Sequence, residues 1–248
     1  MAKQSRLPSF LLTRPAAQAG RFAALLRERF GDDIQIVCAP LLAPRFLIPE
    51  IPQRPFHALI FTSETGVQGF QRLSADPALA AVRVAWCVGD RTAQAATEAG
   101  LVAHSAKGDV LALQRALLAQ RHEGPLLYLH GQNQQGDLAQ ALLSAGLETV
   151  SAVVYAQKPC RLTPAAVDLL SSDKTVILPL FSPRTASIFV SEWQETELKA
   201  RLLVVAMSDA VAQAAGSLPF WKMVVAQRPD AAAMVKAIAG LIATAPDA

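Results

Sequence analysis

The chain has 248 residues, of which 52% are hydrophobic and 17% charged, a composition typical of a globular protein with one large domain or two ordinary ones. The net charge is only +3, and the Arg and Lys residues are scattered without interleaved aromatic residues, which argues against nucleic-acid binding. No apolar run approaches the roughly 18–20 residues of a membrane-spanning helix, and Met1–Arg6 lead into no signal-peptide core, so we expect a cytoplasmic protein.

Short apolar runs alternate with amphipathic stretches along the chain. Continuous runs of this kind are typical of parallel strands covered on both faces, and strand–helix alternation predicts a doubly wound α/β architecture. The predicted strands are Ser9–Thr13, Ile34–Cys38, Ala58–Thr62, Val82–Val88, Leu126–Leu129, Thr175–Leu180, Leu202–Ala206 and Met223–Ala226. The clearest helical stripes are Phe22, Leu25, Leu26 and Phe30, then Val110, Leu113 and Leu117, then Val235, Ile238 and Ile242.

Two segments interrupt this alternation. Residues 40–55 carry five prolines, a density incompatible with a helix interior or a central strand, and residues 151–164 are extended in character and end in prolines. We interpret both as crossings between two lobes; one domain with two ordinary loops is the alternative. The predicted organisation is a discontinuous lobe of residues 1–38 and 161–248, a second lobe of residues 47–150, and connectors at 39–46 and 151–160.

A three-part pattern occurs twice in the chain. Ser63 and Ser182, in similar surroundings, lie 119 residues apart, and so do Gly89 and Ser208. A weaker match relates Gly20 to a glycine 116 residues further on. Matches at nearly one offset predict a duplicated α/β unit, and two similar lobes predict a cleft between them in which a small molecule binds. The matched segments are Phe61–Phe70 with Leu180–Phe189, Gly89–Ala96 with Ser208–Ala215, and Gly20–Leu26 with Gly136–Leu142.

Several predicted strands end in hydroxyl or glycyl residues immediately before a helix. In an open parallel sheet these ends share one edge, where ligands bind, and helix N-termini there attract carboxylates or phosphates. Each residue taken alone is equally explained as a helix cap. The absence of GxGxxG, a phosphate-binding loop and a nucleophile elbow argues against dinucleotide, nucleotide and hydrolase sites. The strand ends concerned are Thr13-Arg14-Pro15, Thr62-Ser63, Gly89–Thr92, Ser182-Pro183-Arg184 and Ser208-Asp209.

The remaining reactive residue types do not form a recognisable site. Cys38, Cys87 and Cys160 are odd in number, far apart and set in apolar sequence, which predicts reduced thiols. No Cys and His lie close together in the sequence, so no metal site is expected. The four histidines are predicted to be structural or exposed; they are His57, His104, His122 and His130.

Short segments spread along the chain are shared with a known enzyme family. They are Leu11–Pro15, Phe61–Val67, Val88–Ala93, Leu127–Gly131, Val153–Tyr155 and Phe181–Ala186. By these segments the chain resembles the uroporphyrinogen-III synthase family over nearly its whole length. The resemblance implies two similar three-layer α/β lobes with parallel, flavodoxin-like sheets, a two-stranded connector and a cleft between the lobes. It also implies cofactor-free, dehydrative cyclisation of hydroxymethylbilane, a linear tetrapyrrole rich in carboxylates, with inversion of the terminal pyrrole ring.

The resemblance assigns roles to individual residues. Tyr155 matches the family's connector tyrosine, which is expected to assist departure of the substrate hydroxyl by donating a hydrogen bond. The expected substrate-binding residues are Arg14, Thr62, Ser63, Gly89, Thr92, Ser182, Arg184 and Ser208, with the two arginines as carboxylate clamps. The chain departs from the family where an Arg is usual, because His130-Gly131 and the run Gln132–Gln135 stand there.

The expected partners follow from this interpretation. They are the linear tetrapyrrole and, transiently, hydroxymethylbilane synthase, which supplies it; the protein is expected to be a monomer without cofactor, metal, nucleic acid or membrane. Two other functions compete with catalysis. One is a non-catalytic two-lobed module that binds a tetrapyrrole or another polyanion for regulation, and the other is an unrelated two-lobed sensor of small anions.

Overall fold

The structure, a computed structural model, describes residues 8–244 except 74, 135 and 197. Met1–Arg6 and Gln135, discussed above, lie outside the described residues. The chain forms two compact units: unit 1 holds the described residues up to Ala43 and from Pro159 on, and unit 2 runs from Pro44 to Lys158. Over the described ranges, no helix has the length and apolar character needed to cross a membrane.

Strands and helices alternate along both units. The strands are β1 (Ser9–Leu12), β2 (Ile36–Cys38), β3 (Leu42–Phe46), β4 (Ala58–Phe61), β5 (Val84–Cys87), β6 (Val102–Ser105), β7 (Leu126–Gly131), β8 (Thr149–Pro159), β9 (Thr175–Leu180), β10 (Arg201–Ala206) and β11 (Phe220–Val225). The helices are α1 (Ala16–Phe30), α2 (Glu64–Arg72), α3 (Asp90–Glu98), α4 (Val110–Leu118), α5 (Leu138–Ser144), α6 (Pro164–Leu170), α7 (Pro183–Gln194), α8 (Asp209–Ala214) and α9 (Ala231–Ala243), with a 3₁₀ turn at Pro77–Leu79.

Unit 1 is a parallel sheet with helices on both faces. Its strand order is β11-β10-β9-β1-β2, and every neighbouring pair is parallel. Helices α1 and α9 bury residues such as Phe22 and Ile238 on one face, while α6, α7 and α8 bury residues such as Phe189 on the other. The central strands are covered on both sides, which is why Leu202–Ala206 reads as an unbroken apolar run.

Unit 2 has the same three layers and one additional edge strand. Its order is β3-β8-β7-β4-β5-β6, and β4 to β8 are parallel. Strand β3 runs antiparallel to β8. Leu47 N–H donates to the Val154 carbonyl at one end of the pair and Cys160 N–H donates to the Leu41 carbonyl at the other, so residue numbers rise along β3 as they fall along β8. Helices α2 and α3 cover one face, and α4 and α5 the other. The predicted three-layer α/β fold with parallel sheets is confirmed.

The two units share one layout in circularly permuted order. The run β4-α2-β5-α3-β6 recurs 119 residues later as β9-α7-β10-α8-β11, and β7-α5-β8 corresponds to β1-α1-β2. With these equivalences the sheet orders β6-β5-β4-β7-β8 and β11-β10-β9-β1-β2 coincide. In unit 2 the connection after β4 leads to β5 on one side, and the connection after the adjacent strand β7 leads to β8 on the other side. In unit 1 the connections after β9 and β1 likewise lead to opposite sides of the sheet. The carboxyl end of such a pair, the switch point, is where α/β sheets bind ligands.

Candidate functional site

Two hydroxyl residues follow β4 at the switch point of unit 2. Ser63 is the N-cap of α2: its backbone is extended, and its Oγ accepts a hydrogen bond from the Gly66 N–H at 3.1 Å. This bond satisfies one of the free N–H groups of the first helical turn. Thr62, directly before it at the strand end, is half-buried.

Tyr155 reaches the same strand end from β8. Its hydroxyl lies 3.1 Å from Ser63 Oγ. A shift in the register between β7 and β8 places Tyr155 opposite Gly131, and Gln132 N–H donates to the Tyr155 carbonyl at 2.8 Å. A Cβ on Gly131 would lie only 2.5 Å from Tyr155 Cζ. The phenol ring therefore occupies the space that a side chain at position 131 would need.

A second phenol lies beside the first. The Tyr128 hydroxyl on β7 is 3.0 Å from Thr62 Oγ1, and the residue is 3% exposed. Burial raises the pKa of Tyr128 above its ordinary value, the hydrogen bond with Thr62 opposes the rise in part, and the neighbouring Tyr155 and Asp137 add to it. Tyr128 is consequently a protonated phenol at neutral pH. Tyr128 was not predicted as a site residue, because a tyrosine within an apolar run is typical of a hydrophobic core.

His130 is part of the interior of unit 2. It is 4% exposed, and its Nδ1 lies 2.8 Å from the Gly131 carbonyl oxygen, which only accepts, so Nδ1 carries the proton. Its Nε2 is hydrogen-bonded to Ser151 Oγ, and its ring stacks on Tyr128 with centroids 4.5 Å apart. The imidazole therefore supports the Tyr128 ring instead of presenting a cation to solvent. Of the glutamine run, residues 132–134 are exposed.

The start of α3 contributes the other predicted positions of unit 2. Gly89 is the extended N-cap of α3 and offers no side chain to the free N–H groups of the first turn. Thr92, in that turn, is 6% exposed and lies mostly within the unit. Because β5 is the neighbour of β4, the N-termini of α2 and α3 open at the same edge of the sheet.

Unit 1 presents arginines at its own switch point. The Arg14 guanidinium lies 3.9 Å above the Phe181 ring, and its Nε and Nη2 donate to Gln18 Oε1 at 3.3 and 3.0 Å. Ser182 caps α7 by accepting from Thr185 N–H at 3.2 Å. Arg184 is exposed in the first turn of α7, where the helix dipole disfavours a cation. An anionic ligand at this edge would offset that cost.

Ser208 follows β10 in unit 1 and is half-buried. It is the N-cap of α8, but its side chain makes no capping hydrogen bond. The Ser208 hydroxyl therefore does not cap the helix, as the hydroxyl of an N-cap serine usually does. Within the described residues, no cluster of His, Cys, Asp or Glu has the arrangement of a metal site.

The duplication shows which unit carries the hydroxyl groups. Position 181, equivalent to Thr62, is Phe, and position 12, equivalent to Tyr128, is Leu. Position 211, equivalent to Thr92, is Val. The same structural positions are thus polar in unit 2 and apolar in unit 1. At the other helix starts unit 1 also carries hydroxyl groups, since Ser182 is equivalent to Ser63 and Ser208 to Gly89, and both predicted cationic contacts belong to unit 1.

Comparisons with known proteins identify the family and the fold. The family model described as uroporphyrinogen-III synthase HemD matches residues 20–236. The crystal structure of uroporphyrinogen-III synthetase from Helicobacter pylori is similar at 19% identity and a TM-score of 0.62, over 95% of this chain and 100% of that one. A mutant uroporphyrinogen III synthase from Thermus thermophilus aligns at 16% identity, with a TM-score of 0.48 over 96% of this chain and 100% of that one. A search of curated proteins gave no match.

The family match spans far more than half of the chain. The likeness to the Helicobacter pylori structure shows that the fold is shared. On these findings, the chain belongs to the uroporphyrinogen-III synthase family.

Proposed function

We propose that the chain converts hydroxymethylbilane to uroporphyrinogen III by cofactor-free, dehydrative ring closure with inversion of the terminal pyrrole. Family membership supports the reaction, and the observation that carries the proposal is the 3.1 Å contact between the Tyr155 hydroxyl and Ser63 Oγ at the switch point of unit 2. The substrate is inherently reactive, so the protein has mainly to position it and assist one leaving group.

The hydrogen bonds around Ser63 orient the Tyr155 proton. Ser63 Oγ accepts from the Gly66 N–H and lies 3.1 Å from the Tyr155 hydroxyl, a pair in which either oxygen can be the donor. We assign the donor role to Ser63 in the productive state. The Tyr155 O–H then points away from Ser63 and donates to the hydroxyl leaving group of the substrate. As the C–O bond breaks, the Tyr155 proton passes to the leaving oxygen, which departs as water, while the pyrrole nitrogen supplies the electron pair that forms the azafulvenium cation. Transfer of the pyrrole N–H proton to the Tyr155 phenolate gives the neutral azafulvene and restores the phenol.

The substrate carboxylates are bound by the remaining predicted residues. In unit 2, Thr62, Gly89 and Thr92 supply hydroxyl and backbone donors at two helix N-termini. In unit 1, Arg14 and Arg184 supply guanidinium groups, which pair with carboxylates bidentately. Ser182 and Ser208 mark the helix starts on the same edge of that unit.

A coupled assay tests the function. Hydroxymethylbilane is generated in the cuvette, the protein is added, and the products are oxidised and separated as porphyrin isomers. Type III porphyrin is expected, because only an enzyme inverts the last ring, whereas spontaneous closure gives type I. Folded protein that leaves the product as type I would overturn the proposal and favour a binding module.

Tyr155→Phe tests the assignment of the donor. Loss of one modest acid should slow turnover roughly ten- to a thousandfold. The half-buried ring stays in place, so thermal unfolding should change little. Turnover is measured in the same isomer assay, and a variant with the wild-type rate would remove Tyr155 from the mechanism.

We also propose that the protein acts in the cytoplasm as a monomer and receives its substrate by brief contact with hydroxymethylbilane synthase. The substrate closes spontaneously to the wrong isomer, so rapid transfer favours the type III product. Light scattering coupled to gel filtration measures the mass of the free protein. The same measurement is then repeated with hydroxymethylbilane synthase added. A brief contact should dissociate on the column, so the two proteins should elute separately with the masses of the free proteins.

A further inference from the structure

We propose that Tyr128 is a positioning residue for this reaction, which holds the Thr62 hydroxyl as an outward-pointing donor to a substrate carboxylate. The inference rests on the proposed function and adds a residue to it. Tyr128 itself is buried and does not meet the substrate; it acts through Thr62.

The direction of the hydrogen bond follows from burial. The Tyr128 hydroxyl lies 3.0 Å from Thr62 Oγ1 and is enclosed by unit 2. If Thr62 were the donor, the phenolic proton of the buried Tyr128 would be left without an acceptor, so we assign Tyr128 as the donor and Thr62 Oγ1 as the acceptor. Thr62 has one proton of its own, which must then point elsewhere. Thr62 is half-buried at the strand end, so part of the residue is accessible there, and we infer that its proton is directed to that side.

The ring that makes this bond is fixed from behind. His130 stacks on Tyr128 at 4.5 Å with an interplanar angle of 28°. Its two ring nitrogens are bonded to the Gly131 carbonyl and to Ser151, which prevents the imidazole from turning. A chain of contacts thus runs from Ser151 through His130 and Tyr128 to Thr62, and each member restricts the next.

The duplication shows that the fold does not require this hydrogen bond. Unit 1 builds the same pair of adjacent strands with Leu12 and Phe181 in the positions of Tyr128 and Thr62. Leu12 is fully buried, so an apolar pair packs well at this place. A polar pair in unit 2 therefore serves a purpose other than joining the strands.

The two phenols then have complementary roles. With Ser63 assigned as donor to Tyr155, the phenolic proton is free for the leaving hydroxyl, and with Tyr128 assigned as donor to Thr62, an aliphatic hydroxyl proton is free; the two contacts are 3.1 and 3.0 Å long. An aliphatic hydroxyl is a weak acid and suits a carboxylate that is bound but not protonated. Thr62 and Ser63, which are consecutive at one strand end, thus have different roles. Thr62 orients a substrate carboxylate, and Ser63 orients the Tyr155 phenol that assists the leaving group.

The test compares Tyr128→Phe, Thr62→Val and their double variant in the isomer assay. Each single variant should raise KM roughly three- to tenfold, the size expected for one neutral hydrogen bond, with kcat close to the wild-type value. The double variant should be no worse than Thr62→Val, because both changes remove the same donor. Thr62→Ser keeps the hydroxyl and is the matched control, with a KM near that of the wild type.

The outcomes separate this inference from its premise. Wild-type protein that forms no type III product defeats the proposed function itself. If type III forms normally but Tyr128→Phe lowers thermal stability without changing KM, the hydroxyl is structural and the inference is wrong. An additive double variant would overturn it too, since the two groups would then act independently.

Discussion

Tyr155 keeps its place because the residue opposite it has no side chain. Its ring lies over Gly131, and a Cβ there would also come within 2.8 Å of the phenol oxygen. Neighbouring backbone fixes both strands, so the two residues have no room to separate. The hydrogen bond between Tyr155 and Ser63 therefore depends on Gly131, although Gly131 itself has no side chain that could contact the substrate.

Gly131→Ala should disable the site without unfolding the protein. The added methyl group overlaps the Tyr155 ring, which must turn away and lose Ser63. We expect type III formation to fall at least about tenfold, as for loss of a general acid, with a modest change in the thermal midpoint. Rates are measured with Tyr155→Phe as reference.

The double variant Gly131→Ala/Tyr155→Phe should lose no more activity than Tyr155→Phe alone, because both act on one phenol. Wild-type turnover in Gly131→Ala would show that the phenol position is not critical.

The sequence identifies the residues at strand ends more readily than those inside strands. Ser63, Thr62 and Tyr155 were predicted as site residues from their motifs, and their roles stay proposals. Tyr128 and Gly131 were missed, because their importance depends on β7 lying beside β4 and β8, which is a property of the sheet order. The hydrophobic pattern within one strand does not show which other strand lies beside it, and therefore does not show which hydroxyl groups will be close together.

Among the elements, helix α2 lies unusually close to strand β8. A Cβ on Gly69 would be 2.5 Å from Val154 Cγ2 and 2.7 Å from Val154 Cβ. Val154 is fully buried, so it has little freedom to move. This contact also sets the position of the α2 N-terminus, where Ser63 meets Tyr155 on the same strand β8.

Gly69→Ala should destabilise the protein by about 1–3 kcal/mol through overpacking. Gly20→Ala is the matched control: Gly20 lies in α1, where an added methyl group would meet no atom within 4 Å, and the change should stabilise the helix by roughly 0.5–1 kcal/mol. Urea unfolding measures both.

Adding Val154→Ala restores space at this contact. The combined variant Gly69→Ala/Val154→Ala should therefore be less destabilised than the sum of the two single changes. If the unfolding free energies of the two single changes simply add, the methyl group at position 69 does not contact Val154, and the proposed close approach of α2 to β8 is wrong.

The edge strands of unit 2, β3 and β6, were not predicted from the sequence, whereas the edge strands β2 and β11 of unit 1 were. β6 begins with the exposed Val102, and β3 contains Pro44, so neither has the continuous apolar run of a central strand. Residues 151–164 were predicted to be extended, and the 11-residue strand β8 contains most of them. In α9 the buried stripe is Met234, Ile238 and Leu241, one position before the predicted Val235 and Ile242.

At the scale of the molecule, unit 2 is one uninterrupted segment with its own two cores. Unit 1 is assembled from both ends of the chain, and its strand β1 lies between β2 and β9. The offset of 119 residues predicted the duplication, but the permutation was not recognised, because its evidence is the weak match between α1 and α5. Helices of different length leave little sequence similarity.

Residues 44–158, expressed alone, should fold. Cys87, the cysteine within this segment, is a built-in reporter: burial raises its pKa to about 12, so the thiolate is scarce in the native state. We expect a thiol reagent at pH ~8, near the ordinary pKa of a free thiol, to react with Cys87 slowly in the isolated segment and rapidly after urea is added.

The Cys87→Ala segment serves as the blank for this measurement. Rapid labelling without urea would mean that unit 2 needs unit 1 in order to fold.

The split of unit 1 has a consequence for synthesis on the ribosome. Phe10, Leu11 and Leu12, fully buried in the finished protein, emerge long before Thr175–Leu180, the strand that covers one of their edges. At about 5–20 residues per second, the stretch between Leu12 and Thr175 takes roughly ten to thirty seconds to translate. Unit 2 is complete before that interval ends. Until β9 is synthesised, the nascent chain thus exposes the apolar strand β1 beside an already folded unit 2.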